Sequence, residues 1–343
     1  PGCQCKSTIN SSQGNIVPPE PSYPMIAIPD YPNTTKAQEK SYLSWMRQNN
    51  QFFTGDEYHL RFGIFLANQR YVQEFNSNPK NNFRVGLNKF SCYTPSEYKA
   101  LLGHIPMRSP QTQKQITKAA HQDLKLPDSV NWIEKGAVNP IRNQGHCGSC
   151  WAFAAIASLE AAYQIKNGKL LALSEQNLVD CVEYCVGCNG GNGFAAFEYV
   201  RDKQDRKIQL QADYPYTAVT GTCVFDGTKD CGTMKDYTFV IPHSEVDLKY
   251  RVADWGVVDS SIDASAQAFQ LYTSGIYDDN SCTSYRSNHE VAVVGYGSEN
   301  GTNYWLVRNS WGTEWGEEGY IRMLRGTITN LCGIASACYI PYC

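Results

Sequence analysis

The residues that could do chemistry are densest in one octapeptide, Gln144-Gly145-His146-Cys147-Gly148-Ser149-Cys150-Trp151. Three chemistries fit it. Cys147-x-x-Cys150 at a helix start could be a redox dithiol. Together with Cys185-x-x-Cys188 it could form two zinc knuckles. Alternatively Cys150 is a nucleophile, because a cysteine that opens a helix faces unpaired N–H groups and the positive dipole end, both of which stabilise a thiolate. The redox reading needs a β-α-β setting that the flanking sequence does not offer. Zinc knuckles stand about 15–20 residues apart, whereas 35 residues separate Cys150 from Cys185. The nucleophilic reading makes a different demand: a histidine to move the proton and a polar residue to orient that histidine. His289 and Asn309 follow Cys150 by 139 and 159 residues.

Those distances are close to the roughly 130–150 residues expected after a C-G-[SA]-C-[WY] signature, with Asn309 slightly long. Further stretches agree: Leu178-Val-Asp-Cys181, Cys188-Asn-Gly-Gly191, Tyr214-Pro-Tyr216, Asn288-His289, Gly295-Tyr-Gly297, Asn309-Ser-Trp311-Gly-Thr-x-Trp315-Gly and Gly319-Tyr-Ile-Arg322. Over its whole length, 126–343 resembles the papain-like cysteine peptidases. Before it, Glu57, Arg61, Phe65, Asn68, Val72 and Asn76 match the interrupted helix motif of cathepsin L-like propeptides, with Val72 where Ile is usual.

The resemblance implies an α+β, papain-like two-domain fold, with a helical left domain, a β-barrel-like right domain and a helical inhibitory propeptide. It implies a cysteine endopeptidase made as an inactive precursor, with Cys150 as nucleophile and His289 as its proton partner. Asn309 would orient the imidazole, Trp311 would shield that hydrogen bond, and the Gln144 amide with the Cys150 N–H would form the oxyanion hole. A thiolate–imidazolium pair is expected near neutral pH. Substrate would meet Gly190, Gly191, Asn192, Gly193, Ser261, Ser287, Glu290, Ala337 and Trp311, with Gly190-Gly191 offering backbone to an extended chain. Glu290 stands where Gly or Ala is usual. If its carboxylate enters the S2 pocket, basic P2 residues are accepted; the expectation is hydrophobic preference with basic tolerance. No His-His insert lies between Cys188 and Tyr214, which favours endopeptidase over dipeptidyl-carboxypeptidase action. Implied disulfides are Cys147–Cys188, Cys181–Cys223 and Cys282–Cys332; Cys185–Cys231 and Cys338–Cys343 are further guesses. Cys92 replaces the propeptide Asp associated with acid sensing, and is either a buried thiol or a partner for Cys3 or Cys5. His146 is expected to be exposed, and Trp315 to serve packing. Expected partners are protein and peptide substrates, the propeptide as inhibitor and cystatin-type inhibitors, on a monomer without metal or cofactor. A catalytically silent binding protein or adhesin is the competing reading, opposed by the intact Cys150, Gln144, His289 and Asn309.

The elements that must position these residues also leave a signal. Residues 1–35 are rich in Pro, Ser and Asn and read as an irregular lead-in. Helices are expected over Lys36–Phe52, Asp56–Asn76 and Ser96–Leu102, and a strand over Arg84–Phe90. Residues 103–125 read as an exposed, cleavable linker closing the 36–125 propeptide. The Ala-rich run from Cys150 to about Lys166 reads as a buried helix. Strands dominate after about Asp236. A cleft between a helical and a β-rich half is a common place for a site.

Composition bounds the setting. The chain has 343 residues, 14 of them cysteine, and three N-glycosylation tripeptides at Asn10, Asn33 and Asn300. That points to the secretory pathway, either secreted or in a lysosome- or vacuole-like compartment. No run is long and apolar enough for a membrane span. The net charge of −3 divides unevenly. Residues 1–125 hold 14 Lys/Arg against 8 Asp/Glu, and 126–343 hold 16 against 25. The two parts should attract each other, unless both are ordinary solvated surfaces. The larger, acidic part and the lack of a basic cluster argue against nucleic-acid binding.

Overall fold

The computed structural model describes residues 35–107, 125–328 and 330–343. The N-terminal part is three helices and a strand: α1 (Lys36–Gln48), α2 (Gly55–Ser77), β1 (Phe83–Val85) and α3 (Pro95–Leu101). Capping boxes open α1 at Thr35/Gln38 and α3 at Thr94/Glu97, satisfying N–H groups that lack a partner inside the helix. α1 stops at Gln48, short of Phe52, because Asn50 turns into the left-handed region (φ 49°). The expected strand over 84–90 shrinks to three residues, since Asn88 to Ser91 forms a turn closed on itself. Tyr42, Trp45, Met46, Phe62, Phe65 and Leu66 bury together around the Cys92 thiol.

In the main body the helices are α4 (Cys150–Asn167), α5 (Glu175–Cys181), α6 (Gly193–Lys203), α7 (Glu245–Asp254) and α8 (Gln267–Gln270). The strands are β2 (Val130–Asn131), β3 (Lys207–Gln209), β4 (Cys231–Thr233), β5 (Asp236–Phe239), β6 (Val258–Ile262), β7 (Tyr272–Tyr277), β8 (His289–Glu299), β9 (Thr302–Arg308), β10 (Tyr320–Leu324) and β11 (Cys338–Tyr342). The large sheet runs β1-β7-β10-β9-β8-β6-β11-β5, with β2 added on β8; β3 and β4 form a separate pair. β1 comes from the N-terminal part, so the sheet itself ties that part to the body.

Two apolar cores result. One fills the β-rich half around Val258, Val293, Trp305 and Ile321; the other joins α4, α5 and α6 through Trp151, Ile156, Leu178 and Phe197. α4 is buried almost all round because it lies between them. It stops at Gly168, whose φ of 70° suits the left-handed end of a helix. Below the cleft, Arg142 bonds both Glu160 on α4 and Glu175 on α5, at 2.8 and 2.5 Å. This ties α4 to α5 with buried charge.

The three implied disulfides are present: Cys147–Cys188, Cys181–Cys223 and Cys282–Cys332. The two further guesses are not. Cys185, Cys231, Cys338 and Cys343 are free thiols. Cys338 packs inward on Ser260 and Ile334, whereas Cys343 meets the Thr233 carbonyl, so the two sulfurs have different surroundings. Cys185 sits against Trp151 and Asn192, while Cys231 pairs with Gln209 across β3–β4. Cys92 is a buried free thiol; Cys3 and Cys5 lie outside the described residues. Asn300 is exposed on the β8–β9 turn, and Asn10 and Asn33 lie outside the described residues.

Candidate active site

Cys150 is the first residue of α4 and fully buried. The backbone N–H groups of Glu290, Gly103 and Trp151 approach its sulfur. The contact from Glu290 places the start of β8, and hence His289, beside the thiol. Asn309 follows the end of β9, the strand paired with β8, so the turn of the sheet brings it to the imidazole. His289 Nε2 and Asn309 Oδ1 are 2.9 Å apart. Asn309 Oδ1 also accepts the Ser310 N–H at 2.8 Å, which fixes the amide orientation. His289 Nδ1 has no hydrogen-bond partner among the described residues and is the ring nitrogen left for the sulfur.

Trp311 covers this pair, its ring 4.8 Å from the His289 ring. Trp315 is packing, wedged edge-on against Trp311 and bonded to the Phe269 and Gln270 carbonyls. Gln144 is buried, with its Oε1 held by the Ser310 hydroxyl at 2.7 Å. Its Nε2 donates to the Cys147 carbonyl and, at 2.9 Å, to the Leu101 carbonyl. His146 is exposed, stacked on Tyr93. Cys147 is locked in its disulfide, which rules out the redox dithiol. Among the described residues no cluster could hold a metal ion.

The N-terminal part occupies the cleft. Residues 103–107 belong to that plug rather than to an exposed linker; 108–124 lie outside the described residues. Gly191 donates to the Gly103 carbonyl at 2.8 Å and accepts from the Ile105 N–H at 2.7 Å, so the chain adds alongside Gly190-Gly191 as an extended peptide would. Gly103 crosses so close that a Cβ there would lie 1.8 Å from the Gly148 carbonyl oxygen. The Asn192 amide reaches the Ile105 carbonyl at 3.1 Å, while its Oδ1 caps α6. His104 turns its side chain inward to Glu290 Oε1 (2.5 Å) and Ser261 Oγ (3.4 Å). The Gly193 N–H donates to Glu290 at 3.0 Å. Ser287 and Ala337 are half-buried, with no polar contact to the plug among the described residues.

This cover sets the charge state. Burial pushes the Cys150 thiol up to about 12, and burial draws the His289 imidazole down to about 4. Between those limits the covered site holds a thiol and a neutral imidazole, not the ion pair expected of an open site.

Sequence reasoning missed His104 and Asp259. Nothing in the Pro- and Gln-containing stretch around His104 marks it. Asp259 did leave a signal, because it lies two residues from Ser261 on the same strand and therefore on the same face.

Outside the cleft, the α2 stripe is a docking face and not a solvated surface. Asn76 bonds Val85 in both directions, and Asn68 joins the Ser91 carbonyl to Gln267. Asn88 reaches the Gln270 carbonyl, Lys89 the Trp311 carbonyl, and Tyr98 the Ala264 carbonyl. Among the described residues, His104–Glu290 is the one contact between a basic and an acidic side chain that joins the two parts, and burial leaves the His104 imidazole neutral there. Charge therefore plays a small part at the contact, with Lys89 on the Trp311 carbonyl and Asn82 on the Asp278 carboxylate as single charged groups among neutral hydrogen bonds and apolar rings.

Comparison with known proteins agrees with this geometry. The family model described as papain family cysteine protease matches residues 126–342, and that of the cathepsin propeptide inhibitor domain matches 42–98. Digestive cysteine proteinase 2 of Homarus americanus is 40% identical over 301 residues, covering 86% of this chain and 92% of that protein. Cathepsin S of Bos taurus is 44% identical over 259 residues, covering 75% and 77%. The digestive procathepsin L2 structure from Tenebrio molitor superposes with a TM-score of 0.83 at 32% identity, covering 89% of this chain and all of that one. The chain belongs to the papain family of cysteine proteases, as a cysteine endopeptidase precursor carrying its own inhibitory propeptide.

Proposed function

We propose that peptide hydrolysis proceeds through a Cys150 thioester. Once the cleft is open, water reaches His289, the burial penalty falls, and a Cys150 thiolate–His289 imidazolium pair forms at the start of α4. The thiolate attacks the scissile carbonyl carbon, and the oxygen takes the negative charge between the Gln144 amide and the Cys150 N–H. His289 gives its proton to the departing amine, leaving the acyl group on sulfur. It then takes a proton from water as the water oxygen attacks the thioester carbon, and collapse of that intermediate breaks the C–S bond, releases the acid and restores the Cys150 thiolate beside the protonated imidazole. Asn309 keeps the imidazole turned toward the sulfur, and Trp311 keeps water from that hydrogen bond. Gly190 and Gly191 hold the substrate backbone, and Asn192, Gly193, Ser261, Ser287, Glu290 and Ala337 wall the P2 pocket.

The observation that carries this is the Leu101 carbonyl on the Gln144 amide. The propeptide sets a carbonyl against the donor that a substrate carbonyl would use, beside a thiol next to an Asn-bonded histidine. The propeptide spans 36–125 after a lead-in of 1–35, and the peptidase spans 126–343. Three disulfides favour a secreted or lysosome-like location, since such bonds persist in oxidising compartments. A freed cleft would also admit cystatin-type inhibitors on a monomer. The test compares processed wild type with Cys150→Ala on a fluorogenic peptide amide. Loss of at least about a thousandfold in kcat is expected; retained turnover would contradict the reading.

A further inference from the structure

The floor of the pocket entered by His104 carries a second acid that the reaction does not use. β6 and β8 pair so that Ser261 lies opposite Glu290, with Asp259 opposite Ala292, one diagonal step away on the same face. Asp259 is 1% exposed and Glu290 is 2% exposed. The backbone is shaped for the pair. A Cβ on Gly193 would lie 1.7 Å from Asp259 Oδ2 and 2.9 Å from Glu290 Oε2, so only glycine leaves room for two carboxyls.

Asp259 Oδ2 receives no N–H or O–H from the other described residues. Two touching carboxylates would repel, but a proton on one makes a hydrogen bond to the other. Burial raises both groups, and proximity to Glu290 raises Asp259 further, while the Gly193 N–H favours charge on Glu290. Asp259 is thus the proton holder, and Glu290 the group that answers whatever enters. The surrounding titratable groups are Cys150, Cys185, Cys338, Tyr339, His104 and His289, none of which supplies a fixed positive charge. In the precursor, burial draws His104 down to about 4, so its contact with Glu290 is an uncharged hydrogen bond at neutral pH.

We propose that the Asp259–Glu290 pair makes this pocket select a lysine or arginine side chain at P2, with Asp259 a specificity-determining residue that acts through Glu290. The proposal rests on the peptidase reading above. A P2 ammonium or guanidinium ionises Glu290, whose carboxylate is then satisfied by the cation, the Gly193 N–H and the Asp259 O–H. A P2 leucine leaves those carboxyl oxygens facing carbon, and sites built around buried polar groups reject ligands that cannot pair with them. His104 fills the same place in the propeptide without a fixed charge, so a cationic substrate can outcompete it.

The test uses the processed enzyme, with active sites counted by an epoxysuccinyl label on Cys150. Peptide amides differing only at P2 (Arg, Lys, Leu, Phe) are compared by kcat/KM for wild type, Glu290→Gln and Asp259→Asn. Wild type should favour Arg and Lys over Leu by at least about tenfold. Glu290→Gln should lose most of that ratio. Asp259→Asn, which still offers an N–H to Glu290, should keep it, whereas Asp259→Leu, which offers no donor, should lose much of it; an unchanged ratio in Asp259→Leu would overturn the role of Asp259. Leu or Phe cleaved as well as Arg by wild type would overturn the proposal without recourse to any variant, and so would an unchanged ratio in Glu290→Gln. An unlabelled Cys150 would overturn the peptidase reading, and this inference with it.

Discussion

At the scale of single residues, the site works by controlling which atoms may carry charge. Gln144 is held on both sides of its amide, by the Ser310 hydroxyl and by two carbonyls, and its N–H group meets a propeptide carbonyl at the place proposed for the oxyanion. Gln144→Ala in the processed enzyme should therefore lower kcat by about 10²–10³ with little change in KM, read by steady-state kinetics on one peptide amide. The thiol offers a second check. With Cys150 pushed up to about 12 and His289 drawn down to about 4 by burial, the covered site pairs a neutral Cys150 thiol with a neutral imidazole between those values. Iodoacetamide should alkylate the precursor slowly and almost independently of pH from about pH 5 to 9, and the processed enzyme fast even below the ordinary thiol pKa of about 8.5. Equal rates for the two forms would contradict the assigned cause.

At the scale of elements, the cover is held by α2, α3 and the extended segment 103–107 in the cleft. Arg61 on α2 forks onto Glu97 on α3, and the guanidinium, helped by the Thr94 N–H and hydroxyl, holds the Glu97 carboxyl down at about 2. A carboxylate held low in the fold contributes stability above its unfolded value of about 4.3, and that contribution fades as pH falls toward about 2. This pair therefore stays intact at pH 5 and cannot be the trigger for mild-acid release. Glu97→Gln should lower the precursor melting temperature at pH 6 and flatten its decline between about pH 4.5 and 2.5, as followed by circular dichroism. Gly103 makes a steric prediction. Gly103→Ala cannot lie on Gly148, and overpacking of this kind typically costs about 1–3 kcal/mol. The unprocessed variant should then take up an epoxysuccinyl label faster than the wild-type precursor. Beneath the cleft, Arg142→Met strands Glu160 and Glu175 without their cation, at a cost of about 3–5 kcal/mol in urea unfolding.

At the scale of the whole molecule, much of the arrangement could be read in the sequence, because it rests on local rules. The Cys150 helix follows from an apolar Ala-rich run behind a Gly-rich turn, and the α2 stripe from i, i+3/i+4 spacing. The proposed catalytic set, Cys150, His289, Asn309 and Gln144, rests on residues of fixed type at a family spacing, and the fold brings His289 and Asn309 within hydrogen-bond distance. What could not be read depends on distant parts meeting. His104 gains its role only by docking 186 residues from Glu290 in sequence. Residues 103–107 have linker composition yet lie in the cleft, because backbone pairing to Gly191 needs no particular side chains. The free thiols illustrate the same limit: Cys338 and Cys343 are near in sequence, but a strand sends their sulfurs to different neighbours. The uneven charge of the two parts implied mutual attraction or two ordinary solvated surfaces, and the described contact is a sheet extension, aromatic packing around Trp311, and hydrogen bonds.

The central claim is that Cys150 is a nucleophile kept silent by residues of the same chain. Stoichiometric labelling by an epoxysuccinyl inhibitor, located by peptide mass spectrometry before and after removal of the propeptide, tests it most directly. The account predicts no label on the intact precursor and one label per folded, processed molecule, on Cys150. A processed, folded protein that leaves Cys150 unlabelled would contradict it, as would a precursor labelled as readily as the processed form.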